Sequence, residues 1–135
     1  MSAFWLLKTE PGEYSFADLE EEGRTVWDGV KNSVAQKHMR AVEAGDQALV
    51  YHTGKERAVV GIARIECSAY PDPRAGGSLV TFEISPLERL PRPVTLAEIK
   101  ASGEFDDWEL ARLPRLSVMP VPKRIWSSIL RLSSG

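Results

Sequence analysis

With 135 residues, 43% hydrophobic and 27% charged, the chain has the size and composition of one globular domain and lies far from the disordered corner. A net charge of −2 excludes a global basic field for nucleic acid, and the single cysteine, Cys67, excludes an intrachain disulfide and suits a reducing compartment. The opening segment Phe4-Trp5-Leu6-Leu7-Lys8 has no basic leader and is too short to span a membrane, so a cytoplasmic protein with no membrane partner is expected.

Phe4 to Lys8 reads as a buried opening strand. Ser15-Phe16-Ala17-Asp18 has capping-box spacing, which predicts a helix of about two turns that stops at Gly23. Thr25-Val26-Trp27 follows as a brief extended segment. Asn32 then caps a helix whose apolar positions Val34, Ala35, His38, Met39 and Val42 share one face, leaving Lys37 and Arg40 outward. From Gln47 the texture turns to β, with a strand from Ala48 to His52 and a tight turn at Thr53-Gly54-Lys55. A long strand from Ala58 to Ala69, a break at Pro71-Asp72-Pro73, turn residues Gly76-Gly77 and a third strand from Ser78 to Ile84 come next. Pro91 and Pro93 bracket an extended link. Thr95 with Glu98 caps a short helix, Asp106 to Leu113 reads as another, Leu116 to Val121 as a strand, and Pro122 opens a closing helix. Strands and helices do not alternate regularly. The expected fold is therefore α+β, a small, mostly antiparallel barrel or curled sheet flanked by short helices, with residues 1–135 as a single domain.

Charge is unevenly spread. Residues 1–23 carry one base against six acids, residues 24–64 seven bases against four acids, and residues 111–135 five bases and no acid. Where the middle and end segments meet, they make a basic face able to steer a phosphate-bearing ligand; solvated surface charge is the plainer reading. Neither histidine, His38 or His52, has metal-ligand spacing, and no phosphate-binding loop, dinucleotide fingerprint or nucleophile elbow occurs. No metal and no cofactor are expected.

Trp27-Asp28-Gly29-Val30-Lys31-Asn32 sets a flat ring beside an acid, a glycine that permits close approach, a cation and an amide. An indole stacks on a nucleobase and an asparagine pairs with a base edge, although the same residues also suit a core tryptophan ahead of a capped helix. Tyr51-His52-Thr53-Gly54 and Lys8-Thr9-Glu10-Pro11 lie at strand ends, where loops carry function. Arg115 and Ser117, two apart, fall on one face of a strand.

Taken in order, Phe4-Trp5-Leu6-Leu7-Lys8-Thr9-Glu10-Pro11, Tyr14-Ser15, Asp18-Leu19, Trp27 to Asn32, Gly45-Asp46, Tyr51 to Gly54, Val60-Gly61-Ile62-Ala63, Tyr70 to Pro73, Arg92 to Leu96 and Arg115 to Val121 resemble the EVE domain family of the PUA-like superfamily. The resemblance implies a small curled β-barrel with helices around it, related to YTH and SRA domains, and a non-catalytic module that binds a modified base flipped out of DNA or RNA. Methylated bases such as 5-methylcytosine and N6-methyladenine are the expected ligands. Carried over by position, Trp27 stacks on the base, Thr9 and Glu10 line the pocket, and Asn32 adds a polar contact. Lys31 stands where the family commonly has arginine and loses the bidentate fork. Tyr51 and His52 close the wall, His52 and Thr53 at that strand end can bind phosphate or a base edge, and Arg115 with Ser117 holds backbone phosphate. Ser33, Val34 and Lys37 depart from the family pattern. A monomer is expected. Two other readings stand beside this one: an enzyme hydrolysing an amide on a modified nucleoside through Lys8, Thr9 and Glu10, and a protein-interaction module using an apolar patch.

Overall fold

The computed structural model describes residues 3–75, 78–103, 105, 108–113 and 115–135. Gly76-Gly77 and Asp106, named above as turn and helix start, lie outside them. The elements run β1 (Phe4–Thr9), α1 (Phe16–Glu22), β2 (Thr25–Trp27), α2 (Ser33–Met39), β3 (Gln47–His52), β4 (Ala58–Ile65), β5 (Tyr70–Pro71), β6 (Val80–Thr95), α3 (Leu96–Ser102), α4 (Glu109–Arg112), β7 (Val118–Pro120) and α5 (Lys123–Ser134). One curled half-barrel sheet has the order β2-β6-β4-β3-β1-β7, with β5 paired to β6; β1 and β3 are parallel and the other pairs antiparallel.

Local chemistry sets the helix boundaries. Ser15 and Asp18 form a reciprocal capping box at α1, and Gly23 closes it in the left-handed region at φ 80°. Thr95 and Glu98 do the same for α3, and Asn32 caps α2 by accepting from Val34 N and Ala35 N. The α2 face differs from expectation in two places. Val34 is exposed, and Gln36 is buried because its amide has specific partners described below.

Three strand boundaries also differ. The strand from Ala58 ends at Ile65 rather than Ala69: Gly45 N and Asp46 O, just before β3, make the last bonds to Ile65 on that edge, both at 2.8 Å, and Glu66 N bonds Glu83 O on the other before the chain leaves the sheet. The third strand is far longer than Ser78 to Ile84 and continues to Thr95 through three prolines. Prolines are tolerated there because β6 slips register against β4 between Arg89 and Val94, so Pro91 and Pro93 need donate no ladder bond. Ser133 of α5 serves the bulged backbone instead: its hydroxyl donates to Arg92 O at 2.8 Å and accepts from Arg92 N at 3.3 Å. Leu116 and Ser117 precede the last strand, which starts at Val118.

The core fills the space between the sheet and its helices, with Leu6, Leu7, Leu49, Val59, Ile65, Phe82, Ile84 and Ile129 fully enclosed. Phe16 seats α1 directly on Gly61 of β4, where an added Cβ would lie 2.5 Å from the ring. Among the described residues no helix is long and apolar enough to cross a membrane, and no His, Cys, Asp and Glu group could hold a metal ion.

Candidate functional site

The end of β1, the turn after it and the end of β2 enclose a cleft of about 430 Å³. Lys8, Thr9, Glu10, Glu13 and Tyr14 form one side; Thr25 to Val30, with Trp27 at the centre, form the other. Each side is braced. Glu10 O accepts Glu13 N and Tyr14 N, both at 2.9 Å, which closes the turn. The Thr9 hydroxyl donates to Tyr14 O at 2.7 Å, and Glu10 Oε2 accepts Gly12 N at 2.9 Å. A Cβ at Gly12 would sit 2.7 Å from that oxygen, a contact the flexible Glu10 side chain can relieve by swinging away.

On the opposite side, the Thr81 hydroxyl donates to Trp27 O. Gln36, 2% exposed, donates from Nε2 to Val30 O at 2.7 Å and to Val80 O at 3.2 Å, while its Oε1 accepts Val80 N at 2.9 Å. Buried side chains thus fix both ends of the Trp27–Val30 segment. Trp27 is 8% exposed, so it belongs to the core and lines the cleft at once.

The lining is rich in acceptors. Glu10, Glu13 and Asp28 bring carboxylates, the last paired with Arg74 at 3.2 Å, and Lys8 is the one cation among the lining residues. Lys8 Nζ sits 5.6 Å from the Tyr51 ring centroid, and burial holds its ammonium below the usual lysine range. Carboxylates facing a flat ring can accept from the exocyclic amino group of cytosine or adenine while the ring stacks.

Thr9, Glu10 and Trp27 therefore share one cleft. Asn32 does not; it lines a second concavity with Arg115, and its Oδ1 is occupied as the α2 cap. Lys31 is exposed on the loop between the two. Tyr51 and His52 are buried on β3, beside β1 in the sheet, and lie outside the cleft lining. His52 Nε2 accepts Phe16 N at 3.0 Å and Nδ1 lies 3.1 Å from Glu56 Oε1. Thr53 N and Ser117 O hold the β1 backbone, through Thr9 O and Lys8 N, both at 2.9 Å. Sequence reasoning did not single out Glu13 or Gln36. Gln36 stands three before Met39, the spacing of a shared helix face, and that was its available signal.

Comparison with known proteins places this geometry in a family. The family model described as EVE domain matches residues 3–132. Human thymocyte nuclear protein 1 (THYN1) is 36% identical over 84 residues, 53% of this chain and 37% of that protein, so the chain spans well under half the length of the mammalian relatives it matches. A Rhodopseudomonas palustris protein solved by NMR superposes with a TM-score of 0.93 at 38% identity, covering 98% of this chain and 93% of that one. Human THYN1 in complex with 5-methylcytosine-containing DNA superposes with a TM-score of 0.90 at 25% identity, covering 99% of each chain. A match across nearly every residue, carried by the same curled sheet, means that the chain belongs to the EVE domain family.

Proposed function

We propose that the chain is a reader of modified DNA that accepts a methylated base, foremost 5-methylcytosine, in the cleft between Thr9-Glu10 and Trp27. The observation that carries this reading is the pairing of a braced tryptophan with an acceptor-rich wall, on a fold shared with human THYN1, a protein solved with 5-methylcytosine-containing DNA. The base leaves its stack to enter. Unstacking costs a few kcal/mol, which aromatic contact of about 1–3 kcal/mol and hydrogen bonds to the amino edge offset. A methyl group adds apolar area worth about 0.8 kcal/mol when buried, enough to favour the modified base several-fold.

Binding is favoured over turnover at this site. The Thr9 hydroxyl proton is directed to a backbone carbonyl, Tyr14 O, and not to a neighbouring general base of the kind an activated nucleophile needs. A sole cysteine, Cys67, suits a reducing compartment.

Fluorescence anisotropy with oligonucleotides carrying 5-methylcytosine, 5-hydroxymethylcytosine, N6-methyladenine or no modification tests the reading. Saturable binding that prefers one modified strand is expected. Equal affinity for modified and unmodified strands would contradict it.

A further inference from the structure

We infer that the concavity beside the cleft, lined by Asn32, Val34, Arg112, Leu113, Arg115 and Leu116, holds the nucleotide flanking the bound base in the same DNA strand. This rests on the base-reading assignment above and extends it to a second subsite.

The two concavities adjoin along two separate stretches of chain. Val30 lines the cleft and Asn32 the groove, with only Lys31 between them. Leu116 lines the groove, and the next residue, Ser117, accepts the backbone N–H of Lys8, a cleft residue, at 2.9 Å. A strand whose base enters the cleft has the groove next to it along both stretches.

The groove's chemistry fits that occupant. Val34 is 45% exposed and Leu113 43%, and with Val26 of the cleft at 43% they make three of the four large hydrophobics left exposed among the described residues. Apolar surface of this kind takes the face of a base. Arg112 and Arg115 supply cations beside it, and the segment 111–135 to which they belong carries no acid. A guanidinium next to apolar surface pairs with phosphate while the surface takes the base, whereas the carboxylate-rich cleft repels phosphate. The division of labour follows from charge: amino-bearing base to the acidic cleft, phosphate and neighbouring base to the basic, apolar groove. Val34 and Arg115 come from the middle and end segments of the chain, which meet at this groove.

The test compares free 5-methyl-2′-deoxycytidine with a short single-stranded DNA carrying one 5-methylcytosine, against wild type, V34S/L113S and R115Q. All three substituted side chains are exposed, so the fold tolerates the changes. Nucleoside affinity is expected to stay within about twofold for V34S/L113S, while its oligonucleotide affinity falls on the order of tenfold. For R115Q the slope of log affinity against log salt is expected to drop by about one. Unchanged oligonucleotide affinity and salt slope in these variants, with a wild type that binds both ligands, would overturn the groove alone. A wild type that binds neither ligand would overturn the base reading and the groove with it. An RNA strand of the same sequence bound as tightly, with the same losses, would overturn the assignment to DNA.

Discussion

His52 Nε2 accepts the backbone N–H of Phe16 at 3.0 Å, tying the end of β3 to the first turn of α1 across 36 residues of sequence. Phe16 N is one of the helix-start donors that has no partner within the helix, and it is buried, so water cannot replace the imidazole. The bond also fixes where α1 begins, and hence where the Glu10–Tyr14 turn at the cleft must end.

Replacing His52 by leucine removes the acceptor and leaves a buried N–H unpaired. A loss of about 1–3 kcal/mol is expected, read from urea denaturation. Glu56→Gln, at a partly exposed partner, is expected to cost under about 1 kcal/mol. Equal losses from the two changes would contradict the assignment.

Gly61 makes room for Phe16. In Gly61→Ala the new methyl carbon meets three ring carbons at 2.5 to 2.7 Å, and the fully buried ring has nowhere to retreat. Overpacking of about 1–3 kcal/mol is expected, visible as a lower melting temperature. Phe16→Leu in the same background is expected to recover part of it.

Gln36 braces the cleft through three hydrogen bonds. Gln36→Leu keeps the volume but strands Val30 O and Val80 N, so a loss of about 1–3 kcal/mol is expected. Because the freed Val30 segment forms one cleft wall, weaker binding of the modified base should accompany it. Affinity that is unchanged in a measurably destabilised variant would separate the wall from the brace.

Glu98 links acid stability to one residue. The Arg92 guanidinium, at 2.9 Å, together with the Thr95 amide holds its carboxyl down to about 2, from an ordinary 4.5. A depressed carboxylate stabilises the fold above pH 4.5, and that contribution disappears as pH falls from 4.5 to 2. Urea midpoints of wild type and Glu98→Gln should therefore differ above pH 4.5 and converge below it. A constant gap across that window would rule the linkage out.

Local signals were legible in the sequence. Ser15 with Asp18, Thr95 with Glu98, and Asn32 announced three helix starts because capping is settled within four residues. Trp27 and Thr9-Glu10, grouped in the sequence through the ordered family motifs, line one cleft in the structure. What was hidden depends on partners distant in sequence. The β6 strand runs through Pro91 and Pro93 where its register slips against β4, and Ser133, 41 residues beyond Arg92, takes up the Arg92 backbone there. His52 looks like a ligand-facing strand end until Phe16 is seen to occupy its Nε2. Asn32 and Arg115 separate from the cleft because the Asp28–Asn32 loop turns between two concavities, a relation that no spacing along the chain encodes.

The central claim is that the base sits against Trp27, and the indole N–H signals of the four tryptophans test it most directly. Trp5 and Trp108 donate inward, to Asp46 Oδ2 and Pro120 O, and Trp126 stacks on Phe4 away from the cleft. Titration with 5-methyl-2′-deoxycytidine, followed by two-dimensional NMR on the labelled protein, is predicted to move the Trp27 indole signal saturably and leave the other three in place. Saturable binding that leaves the Trp27 signal still while another indole shifts would contradict it.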